Sequence, residues 1–136
     1  MKVLLSIKPE FVEEIFSGKK KFEYRKSIFS NKRVTSVIVY STMPVGKIVG
    51  EFLIEDVLTD EPQSLWKKTK HFSGITKKFF DAYFVGRTRG YAIKIGALVR
   101  YDEPIDPYKD WECFVPPQSF KYIKDTNKEK ELSFVY

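Results

Sequence analysis

The run Gly18-Lys19-Lys20-Lys21-Phe22-Glu23-Tyr24-Arg25 constrains this chain more than any other stretch. A glycine suited to stopping a helix is followed at once by strand-like alternation, with a single acid among basic residues. From Lys20 onward the alternation puts Lys20, Phe22, Tyr24 and Lys26 on one face and Lys21, Glu23 and Arg25 on the other. A bend after Gly18 can redirect Lys20 toward Glu23 and Arg25. A Lys, a Glu and an Arg gathered at the start of a strand can hold an anion and tune one another's protonation.

The rest of the chain supplies alternating strands and three short helices. Residues 3–7 read as a buried strand, and Pro9 suits the first turn of a helix over 9–17 with Phe11, Val12, Ile15 and Phe16 as its apolar stripe. Strands follow over 22–26, 34–41 and 48–58, and Gly50 inside the last marks a bulge or a tight bend. Two helices are expected over 62–69 and 76–84, the second capped by Ser73 or Thr76 and ended by Gly86. A long strand over 90–101 is then expected to end before Pro104 and Pro107, and the segment 116–122 can add an edge strand. The expected core includes Phe11, Ile15, Val37, Val39, Phe52, Ile54, Ile93 and Ile95. Strand, helix, three strands, two helices and a closing strand make an α+β domain, whose sheet must close or be covered to hide its edges.

The spacing Gly-x-Lys-x-x-Glu-x-Arg, from Gly18 to Arg25, resembles the signature of the ASCH domain of the PUA-like superfamily. Leu5-Ser6-Ile7-Lys8-Pro9, Tyr40-Ser41-Thr42, Ile48-Val49-Gly50-Glu51-Phe52 and Tyr91-Ala92-Ile93 are similar to the other strands of that family, so the resemblance spans about residues 2–101. It implies a small mixed, mainly antiparallel PUA-like β-barrel with flanking helices. One domain is expected over 1–123, with a C-terminal extension from about 102 and a charged tail over 124–136.

The resemblance also implies RNA as partner, with a binding cleft at the barrel mouth. Lys20, Glu23 and Arg25 form the centre of that candidate site. Ser6 and Lys8 from the first strand, Tyr24, and Ser41 and Thr42 from the end of another strand are candidates for its walls. Tyr24 and Tyr40 are candidates for stacking on a base, against the alternative that both are core. A structural ion pair is the alternative for the charged trio, and the resemblance favours a ligand site. Some small members of the family are amidohydrolases of N4-acetylcytidine-type nucleosides that use a Lys, a Thr and a Glu. Lys20 falls on the matching Lys, but Glu23 stands where the Thr is expected, and His71-Phe72-Ser73-Gly74 stands where an acid is expected. The replacement removes the nucleophilic hydroxyl. A modified-nucleoside hydrolase or a ribonuclease, with Lys20 and Glu23 as its catalytic pair, is therefore the alternative to an RNA-binding regulatory module linked to translation or transcription.

Composition narrows the classes further. The formal charge of +6 favours acidic partners. Basic residues cluster over 19–33 and 67–78, while acids gather over 55–61 and 102–110, which separates a basic from an acidic face. One cysteine, Cys113, allows no internal disulfide, and one histidine, His71, cannot complete a metal site. No cofactor or metal is expected. No apolar run suits a signal peptide or a membrane span, so a cytoplasmic protein is expected.

Overall fold

The computed structural model describes residues 1–125 and 132–135. The first strand, β1 (Lys2–Ile7), leads through Lys8 into helix α1 (Pro9–Phe16). Pro9 occupies the first helical turn, where its missing N–H is no loss. Gly18 ends the helix at φ +84°, a conformation that costs glycine nothing. Two short-range strands follow, β2 (Phe22–Arg25) and β3 (Ser36–Ser41). The long strand β4 (Lys47–Asp60) precedes α2 (Pro62–Thr69), a single 3₁₀ turn over Lys70–Phe72, and α3 (Lys77–Tyr83). Thr76 caps α3 by accepting a hydrogen bond from the Phe79 N–H. The chain continues as β5 (Gly90–Ile105), α4 (Pro107–Asp110), β6 (Lys121–Asp125) and β7 (Leu132–Val135).

Among the described residues seven strands join one sheet in the order β2-β5-β4-β3-β1-β6-β7. The β1/β3 pair is parallel and the other neighbours are antiparallel. The architecture is thus the expected mixed α+β, built on one mainly antiparallel sheet, and that sheet is open, with β2 at one end of the order and β7 at the other. It nevertheless coils strongly. Arg25 on β2 donates to the Ser6 carbonyl on β1, although three strands lie between them in the sheet order. Register shifts along β4 supply part of the bending, including one between Ile48 and Gly50. Gly50 is needed there, because a Cβ would lie 2.4 Å from the Val99 carbonyl oxygen.

The apolar faces separate into three clusters. One lies between the sheet and α1 and includes Leu5, Ile15, Val37, Val39, Phe52 and Ile93. A second gathers Leu4, Ile38, Tyr40 and Phe114, with Trp111 packed on it, and a third sets α2 and α3 against β2 and β5 through Leu65, Phe80, Phe22 and Tyr24. Six of the eight expected core residues are buried, and Phe11 and Ile54 pack against the first cluster while remaining half-buried.

Two local expectations need correction. Strand β5 does not stop at Tyr101 but runs through Pro104 to Ile105, and Pro107 opens α4 rather than merely ending a strand. Of the segment 116–122 only Lys121 and Tyr122 are in a strand, and that strand is internal, between β1 and β7. The charged tail falls partly on residues 126–131 and 136, outside the described residues, while 132–135 pair with β6. Among the described residues no helix is long and apolar enough to cross a membrane.

Candidate functional site

Between α1, α3 and the start of β2 the fold leaves a cavity of about 250 Å³. Its charged floor comes from the stretch on which the sequence concentrates its signal. After Gly18 the backbone turns so that the Lys20 N–H bonds the Glu14 carbonyl and the Lys21 N–H bonds the Phe72 carbonyl. This turn overrides simple alternation and aims the Lys20 side chain inward. Lys20 is only 2% exposed, and its Nζ donates to the Ser73 carbonyl at 2.8 Å and lies 3.9 Å from Glu23 Oε1. The other carboxylate oxygen, Glu23 Oε2, accepts from Arg25 Nη1 at 3.1 Å. Lys20, Glu23 and Arg25 therefore converge, with Glu23 held between two cations.

Burial pushes the Lys20 pKa down from its ordinary value, while the charges of Glu23 and Glu14 oppose that shift. Its ammonium also sits 4.9 Å from the Tyr24 ring centroid and 5.5 Å from that of Phe11. Arg25 has little freedom. Besides Glu23 it donates from Nη1 to the Ser6 carbonyl at 3.4 Å and from Nη2 to the Ser119 carbonyl at 2.7 Å. Ser6 in turn donates its hydroxyl to the Pro117 carbonyl at 2.8 Å. The segment around Pro117 to Ser119 thus straps the mouth of the cavity, and Gln118 lines it.

The walls differ in chemistry. Ser6, Ile7 and Lys8 come from the end of β1, and Phe11 from α1. Opposite them α3 presents Phe79 and Tyr83 one turn apart, their rings parallel within 11° at 6.5 Å. Lys8 Nζ lies 5.2 Å from the Phe79 ring and Lys26 Nζ 4.7 Å from the Tyr83 ring. A cationic floor beside an aromatic wall can receive a flat ring that carries a negative group. Among the described residues no three His, Cys, Asp or Glu side chains are grouped to hold a metal ion.

Of the candidate residues, Ser6, Lys8, Lys20, Glu23, Tyr24 and Arg25 line this cavity. Ser41 and Thr42 are not among its lining residues. Ser41 pairs with Ile7 on strand β3, every residue of which is buried. Tyr24 lines the cavity with its hydroxyl already engaged. Its hydroxyl shares a 2.7 Å hydrogen bond with Thr69, its ring is edge-on to Phe80 and Phe84, and burial pushes its pKa up to about 12. Tyr40 is not a stacking residue of this site: it is 1% exposed in another core cluster, with its hydroxyl 2.6 Å from that of Tyr108. Phe79, Tyr83, Ile75 and Gln118 line the cavity without having been singled out for it. The i, i+4 spacing of Phe79 and Tyr83 was the available signal, and it reads equally well as a core stripe.

One family model and three known proteins resemble this chain. The ASCH domain family model matches residues 5–124. Large ribosomal subunit protein uL22 of Ureaplasma parvum serovar 3 is 32% identical over 123 residues, which cover 90% of this chain and 39% of that protein. The chain therefore spans about two fifths of that relative's length. An ASCH domain-containing ribonuclease of Zymomonas mobilis subsp. mobilis is 27% identical over 136 residues, covering 96% of this chain and 89% of the relative. The crystal structure of ASCH from Zymomonas mobilis superposes with a TM-score of 0.83 at 25% identity, over 90% of this chain and 87% of that one.

Proposed function

Because the chain belongs to the ASCH domain family, we propose that it binds single-stranded RNA, taking one nucleotide into the cavity between α1 and α3. The observation that carries this reading is the joining of a cationic floor, Lys20 and Arg25 about Glu23, to an aromatic wall, Phe79 and Tyr83, in one cavity of about 250 Å³. That volume lies just below the usual range for sites of drug-sized ligands and suits a single nucleoside. A base stacks beside Phe79 and Tyr83, as bases splayed from single-stranded RNA do on aromatic side chains. The flanking phosphate meets Lys8 and Arg25, and Glu23 accepts from a base amino group. The relative named as a ribosomal protein supports an RNA-linked role, and the single cysteine suits a reducing, cytoplasmic setting.

RNA cleavage is a second reading, favoured by the relative named as a ribonuclease, which this chain matches over 96% of its length. In that chemistry Glu23 takes the proton of the attacking 2′-hydroxyl while the P–O5′ bond breaks, leaving a 2′,3′-cyclic phosphate and a 5′-hydroxyl that takes its proton from water. Lys20 and Arg25 offset the charge on the non-bridging phosphate oxygens. Tyr24 is unsuited to be the base, since its hydroxyl is bonded to Thr69 behind the cavity. Hydrolysis of a modified nucleoside at Glu23 is less favoured, because the cavity offers no hydroxyl in the expected nucleophile position.

Binding is tested with a mixed-sequence single-stranded octaribonucleotide, a DNA duplex and N4-acetylcytidine. Affinity for the RNA is expected to fall steeply between about 50 and 200 mM salt as phosphate contacts release counterions. Mass spectrometry of the same mixtures reads out chemistry. Binding without product supports the first reading. Cleaved RNA that disappears with Glu23→Gln establishes the second. No RNA binding at either salt concentration overturns both.

A further inference from the structure

The backbone contact that bends the chain toward the cavity also builds a second feature, on the outside. The Lys21 N–H donates to the Phe72 carbonyl at 2.8 Å, so residues 19–21 run beside 72–74. Lys20 turns inward to Ser73, and Lys21 turns outward, placing its Nζ 4.5 Å from the Phe72 ring centroid. Phe72 is 48% exposed, and its backbone carbonyl makes the bond to Lys21 while its ring carries the contact with the Lys21 ammonium. No Asp or Glu occurs from Phe16 to Phe22 or from Pro62 to Phe80, and Lys19, Lys21, Lys67 and Lys70 are all exposed. Basic residues therefore predominate on these two segments, with Glu14 and Glu23 the acids whose charges reach Lys20.

We propose that Phe72 and Lys21 form a second nucleotide subsite, outside the cavity, where a base of single-stranded RNA stacks on Phe72 and Lys21 contacts the adjoining phosphate. This rests on the RNA-binding reading above and extends it from one nucleotide to a strand. The energetics favour the exchange. Base stacking on an aromatic side chain stabilises more than an exposed cation–π contact does. A base can therefore displace the Lys21 ammonium from the ring, and the flexible lysine remains within reach of the phosphate. The cavity floor and the outer ring share the segments 19–21 and 72–75, so a strand held at one meets positive surface on the way to the other.

The test compares the full chain with Phe72→Ala and Phe72→Trp, using the mixed-sequence octaribonucleotide and the four nucleoside 5′-monophosphates as probes. Phe72→Ala is expected to weaken octanucleotide binding about tenfold while leaving mononucleotide binding and the melting temperature unchanged. Phe72→Trp is expected to restore or tighten it. Equal octanucleotide affinity for wild type and Phe72→Ala overturns the outer subsite and leaves the cavity reading standing. Parallel loss of mononucleotide and octanucleotide binding also overturns it, since the residue would then act through the fold. Failure of the wild type to bind the octanucleotide overturns the cavity reading, and the outer subsite with it.

Discussion

The Lys20 side chain crosses directly over Gly74: a Cβ built on Gly74 would lie 2.4 Å from the Lys20 Cβ and 2.6 Å from its Cγ. The buried lysine reaches the cavity floor because this glycine leaves room, and Gly74 also holds φ +65°. Gly74→Ala is therefore expected to be strained twice, by conformation and by contact. It should lower stability by about 1–3 kcal/mol and weaken RNA binding as Lys20 is displaced. Thermal melting and anisotropy titrations check both effects, and unchanged values for both would show that Lys20 can be accommodated elsewhere.

Arg25 spends its planar fork on Glu23, Ser6 and Ser119. An ammonium cannot reproduce three contacts in that geometry. Arg25→Lys is expected to lose about tenfold in RNA affinity, equivalent to ~1.4 kcal/mol, and Arg25→Ala more. Lys32→Ala, at an exposed position of the same basic stretch, should change affinity far less. Equal losses at the two positions would mean that diffuse charge, rather than a directed contact, holds the RNA.

Lys20 is held below its ordinary pKa of 10.5 chiefly by burial. Between its folded value and 10.5 the unfolded chain binds more protons than the native one, so this residue makes stability rise with pH in that window. Lys20→Met is expected to remove that rise. Glu23→Gln should sharpen it, because the buried ammonium loses its compensating charge, at a cost of about 3 kcal/mol near neutral pH. Urea unfolding of the three proteins across the alkaline range measures the slopes, and identical slopes would rule out a linkage through Lys20.

Tyr24 behaves in the opposite sense. Its pKa is raised from 10.0 to about 12, first by burial. The stability it contributes is fully present below 10 and is lost as pH rises through about 12. Ultraviolet titration of wild type against Tyr24→Phe is expected to assign one late-ionising phenol to this residue. A difference spectrum that appears near 10 instead would place the Tyr24 hydroxyl in water.

Gly50→Ala is expected to cost about 1–3 kcal/mol without a specific effect on the site. The added Cβ would meet the Val99 carbonyl oxygen at 2.4 Å and the Phe16 ring at 2.7 Å. The first is backbone in the neighbouring strand and cannot swing aside, so the register shift near Gly50 would have to move. Denaturant melts check the loss; an unaltered midpoint would show the strands to be more compliant than their spacing suggests.

The sequence by itself determined most of the elements and the pairing of Glu23 with Arg25. Pro9, Gly18, Pro62 and Thr76 bound helices through local geometry, and Glu23 and Arg25, two residues apart on a strand, share a face whatever surrounds them. Tertiary structure decided the rest of the cavity. Lys20 points inward because its ammonium meets Ser73, 53 residues away, and Ser6 is capped by Pro117, 111 residues away. The same applies to the aromatic residues. Tyr40 and Phe79 look alike in a hydrophobic pattern, yet one is sealed against Tyr108 and the other faces the cavity. Hydrophobic periodicity reports which residues leave water, because that depends on a few neighbours in the chain. Which buried face meets which depends on the strand order β2-β5-β4-β3-β1 and on how far that sheet coils, and no local pattern encodes either.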